Sequence, residues 1–292
     1  MNSRQNVRGI VAMLLAAALF SLMDTGLKLL TPHYPPLQVA ALRAMSSLPL
    51  VLAFVAWRGA FGTLLRIRWP LHLLRGVLGI GMLSLFAFAL RHLPLAEAYS
   101  IFFVAPLLIT LLSGPLLGER VGAARWIAIV VGLLGVVVVL RPTGTGMFTW
   151  AGGAVLLAAA CYSVSAITVR IVNRSDSVDS QVFWLMTMVA VGAGALAWPQ
   201  WTPVRLADGW VLCGIAVSGF LGQLSITEAF RNGEASAIAP FEYSALAWGL
   251  AIDWLVWHTL PDRWMLAGAA IIVGSGIYLV RHESVHAEAE HP

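Results

Sequence analysis

Residues 14–21 read Leu-Leu-Ala-Ala-Ala-Leu-Phe-Ser, and residues 156–163 read Leu-Leu-Ala-Ala-Ala-Cys-Tyr-Ser. Six of these eight positions are identical, and the two segments lie 142 positions apart. A second pair of segments, residues 37–45 and 180–188, shares Gln, Val, Leu and Met at an offset of 143. Alanine-rich helices match by chance fairly easily, but two matches at nearly one offset favour an internal duplication. We therefore predict two similar halves and a short tail, with boundaries 1–143, 144–281 and 282–292.

The chain around these segments is too apolar for a water-soluble fold. Of its 292 residues, 59% are hydrophobic and only 11% are charged, against roughly a quarter charged in a typical soluble domain. Apolar runs of about twenty residues, each long enough to cross a hydrocarbon layer of ~30 Å, recur from end to end. The sequence therefore predicts an all-α polytopic membrane protein with ten transmembrane helices, at roughly residues 9–30, 36–57, 71–91, 95–117, 122–140, 149–171, 180–198, 210–230, 235–257 and 263–281.

The orientation of the spans follows from their number and from the loop charges. Five spans per half is an odd number, so the second half is expected to enter the membrane upside down relative to the first. Inverted repeats of this kind are typical of transporters and place the substrate site near the membrane midplane. Alternate loops, starting with the N-terminus, hold twelve lysines and arginines, and the opposite loops hold five. Because such residues concentrate on the cytoplasmic side, we expect both termini in the cytoplasm and a location in the cell inner membrane.

Several motifs carry a resemblance to a known family. The first half has residues 96–98 (AEA), Pro106 and residues 117–119 (LGE), and the second half has residues 231–236 (RNGEAS) and 239–243 (APFEY). Over nearly its whole length the chain resembles the drug/metabolite transporter superfamily in its ten-helix EamA-type branch. Within that branch it is most similar to YddG-like exporters of aromatic amino acids and related metabolites. The resemblance implies a translocation path surrounded by the first, third, fourth, sixth, eighth and ninth spans.

Two positions depart from the family pattern. His258 stands near the place where the second half would repeat Glu119, and no proline of the ninth span matches Pro106. The motifs therefore support the superfamily better than they support any one substrate.

A transporter cavity needs polar or aromatic side chains at mid-depth to hold a solute. Trp248 lies near the middle of a span, where its indole N–H needs a partner, so we expect it to face protein or cavity. We expect Tyr162 and Gln223 to face the cavity as well. For the serines, hydrogen bonding between helices is an equal alternative, and Phe20 is alternatively a core residue. The candidate substrate-binding residues are Phe20, Ser21, Ser84, Tyr99, Tyr162, Ser163, Gln223, Tyr243 and Trp248.

Ionisable residues inside a span are functional candidates because a charge there is costly. Asp24 and Arg43 lie at matching depth on neighbouring spans, each roughly 10 Å from the outer end at 1.5 Å per residue, so we predict an ion pair. The second half lacks both charges at the equivalent positions, which favours a structural role for the pair. Glu242 lies about two turns into the ninth span, and three roles remain open for it: a proton carrier, a contact for a substrate ammonium group, or a partner of Arg170.

Proline and glycine mark candidate hinges. A proline inside a helix lacks the N–H and frees a carbonyl one turn back, and glycines let helices bend or approach each other closely. Hinge motion and ordinary small-residue packing are equal alternatives for the glycines. The candidate hinge residues are Pro106, Gly79, Gly81, Gly219 and Gly222.

The leading functional hypothesis is a secondary transporter that exports small amphipathic metabolites by alternating access, with amino acids, aromatic ones included, as the favoured class. The chain has no G-x-x-x-x-G-K-[ST] segment, which excludes a P-loop ATPase. The alternatives are a protease-like intramembrane enzyme and a non-transporting scaffold, although no histidine lies deep within a span to serve a serine protease. We expect no catalytic residue, cofactor or metal site. The expected partners are a small-molecule substrate and the lipid bilayer, not nucleic acid, and the oligomeric state is left open.

Overall fold

The computed structural model describes residues 3–65, 67–90, 92, 101–119, 121–140, 149–173 and 175–257, together with 263, 264, 266–268, 270, 271, 274, 275, 277 and 278. Within this part of the chain there is no β-strand. The α-helices are α1 (Ser3–Leu30), α2 (Pro36–Trp57), α3 (Phe61–Leu64), α4 (Trp69–Leu90), α5 (Ala105–Leu117), α6 (Ala123–Leu140), α7 (Trp150–Val172), α8 (Val178–Ala197), α9 (Gly209–Asn232), α10 (Ala235–Ile238) and α11 (Ser244–Trp257). Short 3₁₀ segments cover Trp198–Gln200, Leu206–Asp208 and Ala239–Tyr243.

Among the described residues, six helical stretches are long and apolar enough to cross a membrane. They coincide with the first, second, third, sixth, seventh and eighth predicted spans. Helix α5 and most of α6 form two shorter apolar helices in the regions of the fourth and fifth spans. The chain is therefore a multi-pass, all-helical membrane protein. The count of ten spans and the inverted repeat stay predictions.

Two predicted spans are interrupted near the middle. In the fourth, a turn at residues 103–104 precedes α5, and Pro106 lies in the first turn of that helix, where its missing N–H leaves no hydrogen bond unmade. In the ninth, the 3₁₀ segment at residues 239–243 separates α10 from α11. The two interruptions meet, since the ring centroids of Phe103 and Tyr243 are 5.6 Å apart.

The long helices pack in pairs that join the two halves. Helix α1 packs along α9, α2 along α8, and α4 along α7. The interrupted spans lie beside these pairs, with α11 against α1 and α5 against α7. The pairs enclose the space between the halves, and this is where the cavity lies.

The two ends of the bundle differ in their polar contacts. The end at which α1, α4 and α8 begin, called here the N-terminal end, carries ion pairs that cross between helices. They are Arg125 with Glu234, Arg170 with Glu119 at 3.5 Å, and Arg58 with Asp179 at 3.6 Å. A hydrogen bond of 2.8 Å joins His72 to Asp176 at the same end. A cluster of buried apolar residues, including Ile10, Phe230 and Ile238, packs at the same end.

Hydrogen bonds between loops hold the opposite end together. The Tyr34 hydroxyl donates to Oδ2 of Asp208 at 2.6 Å and accepts from the Arg205 N–H at 3.0 Å. Burial raises the pKa of Tyr34, and the Asp208 carboxylate adds to this rise, while the Arg205 N–H opposes it. The side chain of Gln38 bonds the main chain of Thr202 in both directions. These contacts tie the α1–α2 loop and the start of α2 to the segment before α9.

Candidate functional site

A cavity of about 240 Å³ lies between the two halves, bounded by α1, α2, α4, α7, α8, α9 and the start of α11. Its wall is mostly apolar, with a few polar groups facing inward, which is the usual composition of a small-molecule site. The polar and charged lining residues are Asp24, Arg43, Arg75, Tyr162, Ser165, Gln223 and Glu242. Because both halves supply them, any solute in the cavity contacts both halves at once.

One corner of the cavity is built by Phe20, Asp24 and Arg43. Phe20 and Asp24 are four residues apart on α1 and so share a face of the helix. The Arg43 guanidinium carbon lies 5.7 Å from the centroid of the Phe20 ring, within the range of a cation–π contact. The Asp24 carboxylate acts on Arg43 electrostatically, and both side chains line the cavity. The structure thus brings the two predicted partners to one wall, and their pairing stays a prediction.

Glycine makes room for the Phe20 ring. A Cβ on Gly222 would lie 3.0 Å from two of the ring carbons. That is closer than an ordinary carbon–carbon contact of about 3.5–4.0 Å, so a larger residue on α9 would displace the ring.

Tyr162 and Glu242 form the second polar group of the wall. The Tyr162 hydroxyl donates to Oε1 of Glu242 at 2.9 Å, and the Tyr162 ring lies 5.6 Å from that of Phe102. Glu242 belongs to the 3₁₀ interruption of the ninth span, which lets its carboxylate reach α7. Arg170, considered as a partner for Glu242, instead lies 3.5 Å from Glu119. Among the three roles considered for Glu242, pairing with Arg170 is therefore wrong.

Gln223 lines the cavity from α9 and is buried. Its Nε2 lies 3.4 Å from Oγ1 of Thr227, one turn further along the helix. A bond this long leaves the amide available to a solute.

Ser21 and Ser163 do not line the cavity. The Ser21 hydroxyl donates to the carbonyls of Ala17 at 2.8 Å and Ala245 at 3.3 Å. The Ser163 hydroxyl donates to its own helix at 2.7 Å and to the carbonyl of Ala105 at 3.2 Å. Each serine therefore links a long helix to an interrupted span, which is the packing alternative.

Three further substrate-binding candidates, Ser84, Tyr243 and Trp248, also lie outside the cavity lining. The hydroxyls of Ser84 and Tyr243 are buried and have no hydrogen-bond partner in the part of the chain that the structure describes. Trp248 is 44% exposed, which corrects the expectation of an inward-facing indole. The physical reason is that the cavity reaches only the first turn of α11, through Ala245, and Trp248 lies beyond it. Tyr99 lies outside the described residues.

The candidate hinge glycines lie within unbroken helices. Gly79 and Gly81 are inside α4, and Gly219 and Gly222 are inside α9. At Gly79 an added Cβ would lie 3.2 Å from side-chain carbons on α8, and at Gly219 it would lie 3.2 Å from the Ser47 hydroxyl. Packing therefore accounts for these two, while Gly81 has only an ordinary contact. The chain breaks occur instead in the fourth span, just before Pro106, and in the ninth.

Sequence reasoning missed several lining residues. Arg75 counts in the sequence as a loop charge, yet α4 begins at Trp69 and carries it six positions into the helix. The only available signal is that His72 and Arg75 are three apart and so share a helical face. Four methionines, residues 13, 23, 82 and 186, also line the cavity. Methionine adapts to solutes of different shape, a property that hydropathy does not register.

The cavity continues toward the end of the bundle that lies opposite the N-terminal end. A second cavity of about 200 Å³ adjoins it, sharing Asp24, Leu27, Arg43, Leu83 and Phe86, and extends to Thr31 and Pro36 at the two ends of the α1–α2 loop. The apolar cluster and ion pairs described above lie at the N-terminal end. The described chain is thus more open at one end of the bundle than at the other.

The loop between α7 and α8 holds a buried carboxylate away from the cavity. Oδ2 of Asp176 is 2.8 Å from Nε2 of His72 and accepts from the Arg68 N–H at 3.0 Å, and Oδ1 accepts from the Ser175 hydroxyl. Burial by itself raises the pKa of Asp176, but the donors from Ser175, Arg68 and His72 together bring it below its usual value. The group is a structural contact between α4 and this loop. Among the described residues, no cluster of three or more His, Cys, Asp or Glu is arranged to hold a metal ion.

Known proteins match the chain over almost its whole length. The EamA-like transporter family matches twice, at residues 7–141 and at residues 149–281. The pseudopaline exporter of Pseudomonas aeruginosa is 27% identical, over 94% of this chain and 96% of its own. The riboflavin transporter of Vibrio cholerae is 26% identical over 97% and 96%, and the S-adenosylmethionine uptake transporter of Rickettsia prowazekii is 26% identical over 98% and 96%.

A solved crystal structure has the same fold. It superimposes with a TM-score of 0.81 at 21% identity, covering 97% of this chain and 99% of that one.

Proposed function

The chain belongs to the EamA-like transporter family, and we propose that it is a secondary transporter that exports small amphipathic metabolites, amino acids foremost, by alternating access. Its named relatives are transporters of small molecules and not enzymes.

The observation that carries the proposal is the composition of the central cavity. It combines aromatic and methionine side chains with Asp24, Arg43, Gln223 and the Tyr162–Glu242 pair. An apolar wall with a few charged groups suits a solute that has an apolar body and a polar, charged end. Free amino acids with large side chains have this form. Their ring or alkyl group would lie against Phe20 or Tyr162, with the polar end near Gln223.

Two features support a duplicated, inverted architecture. The two family matches begin at residues 7 and 149, at the same offset as the repeated segment at residues 14–21. In addition, the pairing of α1 with α9 and of α7 with α4 is what a twofold exchange of the halves would produce, since it relates the first span to the sixth and the eighth to the third. In inverted-repeat transporters the substrate site lies at the interface of the repeats, beside broken helices. The location of the cavity next to the interrupted spans supports this architecture.

The orientation in the membrane completes the proposal. We assign the N-terminal end of the bundle to the cytoplasm, because the arginines of the described residues concentrate there, among them residues 58, 75, 125, 170 and 231. In the described conformation the cavity would then be open toward the outside and closed at the cytoplasmic end. Export agrees with the name of the Pseudomonas relative.

Counterflow in proteoliposomes tests the proposal. Vesicles with the purified protein are preloaded with an unlabelled solute, and uptake of its labelled form is measured for L-phenylalanine, L-tryptophan, L-leucine, riboflavin and S-adenosylmethionine. We expect exchange of at least one amino acid. Ala245→Trp, which fills the cavity wall, should abolish exchange, while Ala247→Trp, which lies outside the lining, serves as the matched control.

The outcomes separate the parts of the proposal. Exchange of riboflavin or S-adenosylmethionine alone would reject the amino-acid class and leave the transporter standing. Exchange that persists in Ala245→Trp at the level of Ala247→Trp would remove the central cavity from the transport path.

A further inference from the structure

Arg75 lies on α4, at the part of the cavity wall nearest the N-terminal end. It is 1% exposed and is the largest fully buried side chain among the described residues. It nevertheless borders the cavity, so its buried state places a positive charge beside the space that the solute would occupy.

The hydrogen bonds of Arg75 are few. A guanidinium group has five N–H donors, and the described residues supply one acceptor, Oε1 of Gln181, at 3.3 Å from Nη1. Nε of Arg75 is buried without a partner in the described part of the chain, as is Nε2 of the same Gln181. Leaving buried donors unpaired is unfavourable, and more so when the group is charged.

Arg75 also differs from the other arginines near it. Arg125 and Arg170 each form an ion pair with a glutamate, and Arg43 lies in the field of Asp24. No carboxylate of the described residues lies within ion-pair distance of Arg75. His72, on the same helical face, binds the carboxylate of Asp176 in the adjacent loop. A buried cation without a counter-ion, at the wall of an otherwise suitable site, is most simply explained by an anionic group that arrives with the ligand.

We propose that Arg75 binds an oxyanion of the transported solute, a carboxylate or a phosphate, at the end of the cavity nearest the cytoplasm. The planar guanidinium presents paired N–H donors that match either group in a two-point contact. The proposal rests on the transporter function above and adds to it a requirement on the substrate. Solutes that carry the oxyanion are bound, and analogues in which it is neutralised are rejected.

Ligand-induced thermal stabilisation of the purified protein in nanodiscs tests the requirement without relying on transport. The probes are matched pairs that differ only in the oxyanion: L-phenylalanine with L-phenylalaninamide, L-leucine with L-leucinamide, and riboflavin 5′-phosphate with riboflavin. We expect the first member of at least one pair to raise the unfolding midpoint and its neutralised partner to bind about ten- to a hundredfold more weakly, the usual effect of losing a charged hydrogen bond. The carboxylate and phosphate pairs identify which oxyanion is preferred.

Variants of Arg75 locate the effect. Arg75→Gln should bind both members of a pair equally, and Arg75→Lys should keep part of the preference because it retains the charge without the paired donors. Arg231→Gln is the matched control, since it removes an arginine at the same end whose ion pair is formed within α9. It should discriminate like the parent.

The unliganded midpoints provide a second, independent measurement. If Arg75 serves a ligand, Arg75→Gln removes an uncompensated charge and unfolds at the parent temperature or above it. A marked fall of that midpoint would assign Arg75 a structural role and overturn the proposal. So would retained discrimination in Arg75→Gln, or a parent protein that no oxyanion probe stabilises. If only riboflavin 5′-phosphate binds, the proposal for Arg75 stands and the amino-acid class fails.

Discussion

Two neighbours, Arg43 and Gly222, determine the position of the Phe20 ring in the cavity wall. The Arg43 guanidinium lies over the ring at 5.7 Å, and Gly222 leaves the space that the ring edge occupies. An aromatic face attracts a cation and also offers a flat apolar surface. Phe20 can therefore hold Arg43 at the wall and contact the apolar body of a solute.

We predict that Phe20→Ala weakens the apparent affinity for the exchanged solute by about two- to tenfold. The estimate follows from the ~0.5–1.5 kcal/mol that an aromatic contact adds beyond its buried area. Trp248→Ala removes a larger aromatic residue that is 44% exposed and outside the lining, and its affinity should equal that of the parent. The half-saturating concentration in counterflow gives both values. A loss in Trp248→Ala comparable to that in Phe20→Ala would show that the solute path lies elsewhere.

We predict that Asp24 and Arg43 stabilise the fold as a pair. Asp24→Asn or Arg43→Met alone leaves a charge uncompensated in the membrane interior and should destabilise the protein by ~3 kcal/mol. The double variant should recover much of this loss, because it removes both charges together. Thermal unfolding of the four proteins in detergent completes the double-mutant cycle. Losses that simply add would contradict the pairing and leave the two residues with separate roles.

For individual residues, the sequence predicts depth in the membrane better than it predicts whether the side chain faces the cavity. Mid-span position selected Phe20, Tyr162 and Gln223 as substrate-binding candidates, and all three line the cavity; substrate binding by them stays a prediction. The same criterion selected Trp248, which lies outside the lining because the cavity reaches only the first turn of α11. The sequence did not predict that Arg75 lines the cavity, because hydropathy locates the start of a span only to within a few residues.

At the scale of the helices, the interruptions of the fourth and ninth spans position the site. The first could be anticipated from Pro106, since proline disfavours a continuous helix. The second, at residues 239–243, brings Glu242 to Tyr162 and could not be located from propensity, because it depends on contacts with α5, α6 and α1. Tertiary packing, and not local sequence, therefore creates the most polar part of the wall.

A substitution of Gly132 on α6 tests whether packing against the 3₁₀ segment determines this part of the cavity wall. An added Cβ would lie 2.6 Å and 2.8 Å from two carbons of the Tyr243 ring, which is itself buried in the 3₁₀ segment. We predict that Gly132→Ala destabilises the protein by about 1–3 kcal/mol through overpacking and weakens exchange by displacing the adjacent Glu242. At Gly153 on α7 an added Cβ would have no neighbouring atom within 4 Å. Gly153→Ala should therefore be neutral or stabilising, because alanine has a higher helix propensity than glycine. Equal midpoints for the two variants would mean that Tyr243 moves aside freely.

At the scale of the whole molecule, the helix pairs join the two halves, and the two ends of the bundle differ in their polar contacts. The cross-helix ion pairs concentrate at the N-terminal end, and the cavity adjoins a second one that leads to the opposite end. Residues 14–21 and 156–163 predict a repeat, but they do not predict this asymmetry. The asymmetry reflects the conformation that the chain adopts. Two conformations of one sequence have the same pattern of spans, so that pattern cannot distinguish them.

The Arg125–Glu234 pair belongs to this closed end, and it holds α6 against the beginning of the interrupted ninth span. Glu234 also donates its N–H to the Asn6 side chain at 3.0 Å, so three parts of the chain meet at one residue. Because both side chains are partly exposed, the pair contributes only ~1 kcal/mol. We predict that Arg125→Gln shifts the population toward a state open at this end by about fivefold.

A cysteine at residue 169 reports the shift. Val169 is 5% exposed and lines the cavity near the N-terminal end. With Cys161 and Cys213 replaced by serine, a membrane-impermeant maleimide added on the cytoplasmic side reaches Val169→Cys only when that end opens. Labelling in inside-out vesicles should be about fivefold faster in Arg125→Gln than with Arg125 intact. Arg231→Gln should change nothing, because its partner Glu228 lies on the same helix and their contact cannot hold two elements together. Faster labelling in right-side-out vesicles instead would reverse the proposed orientation, and an unchanged rate from both sides would show that this pair does not close the cavity.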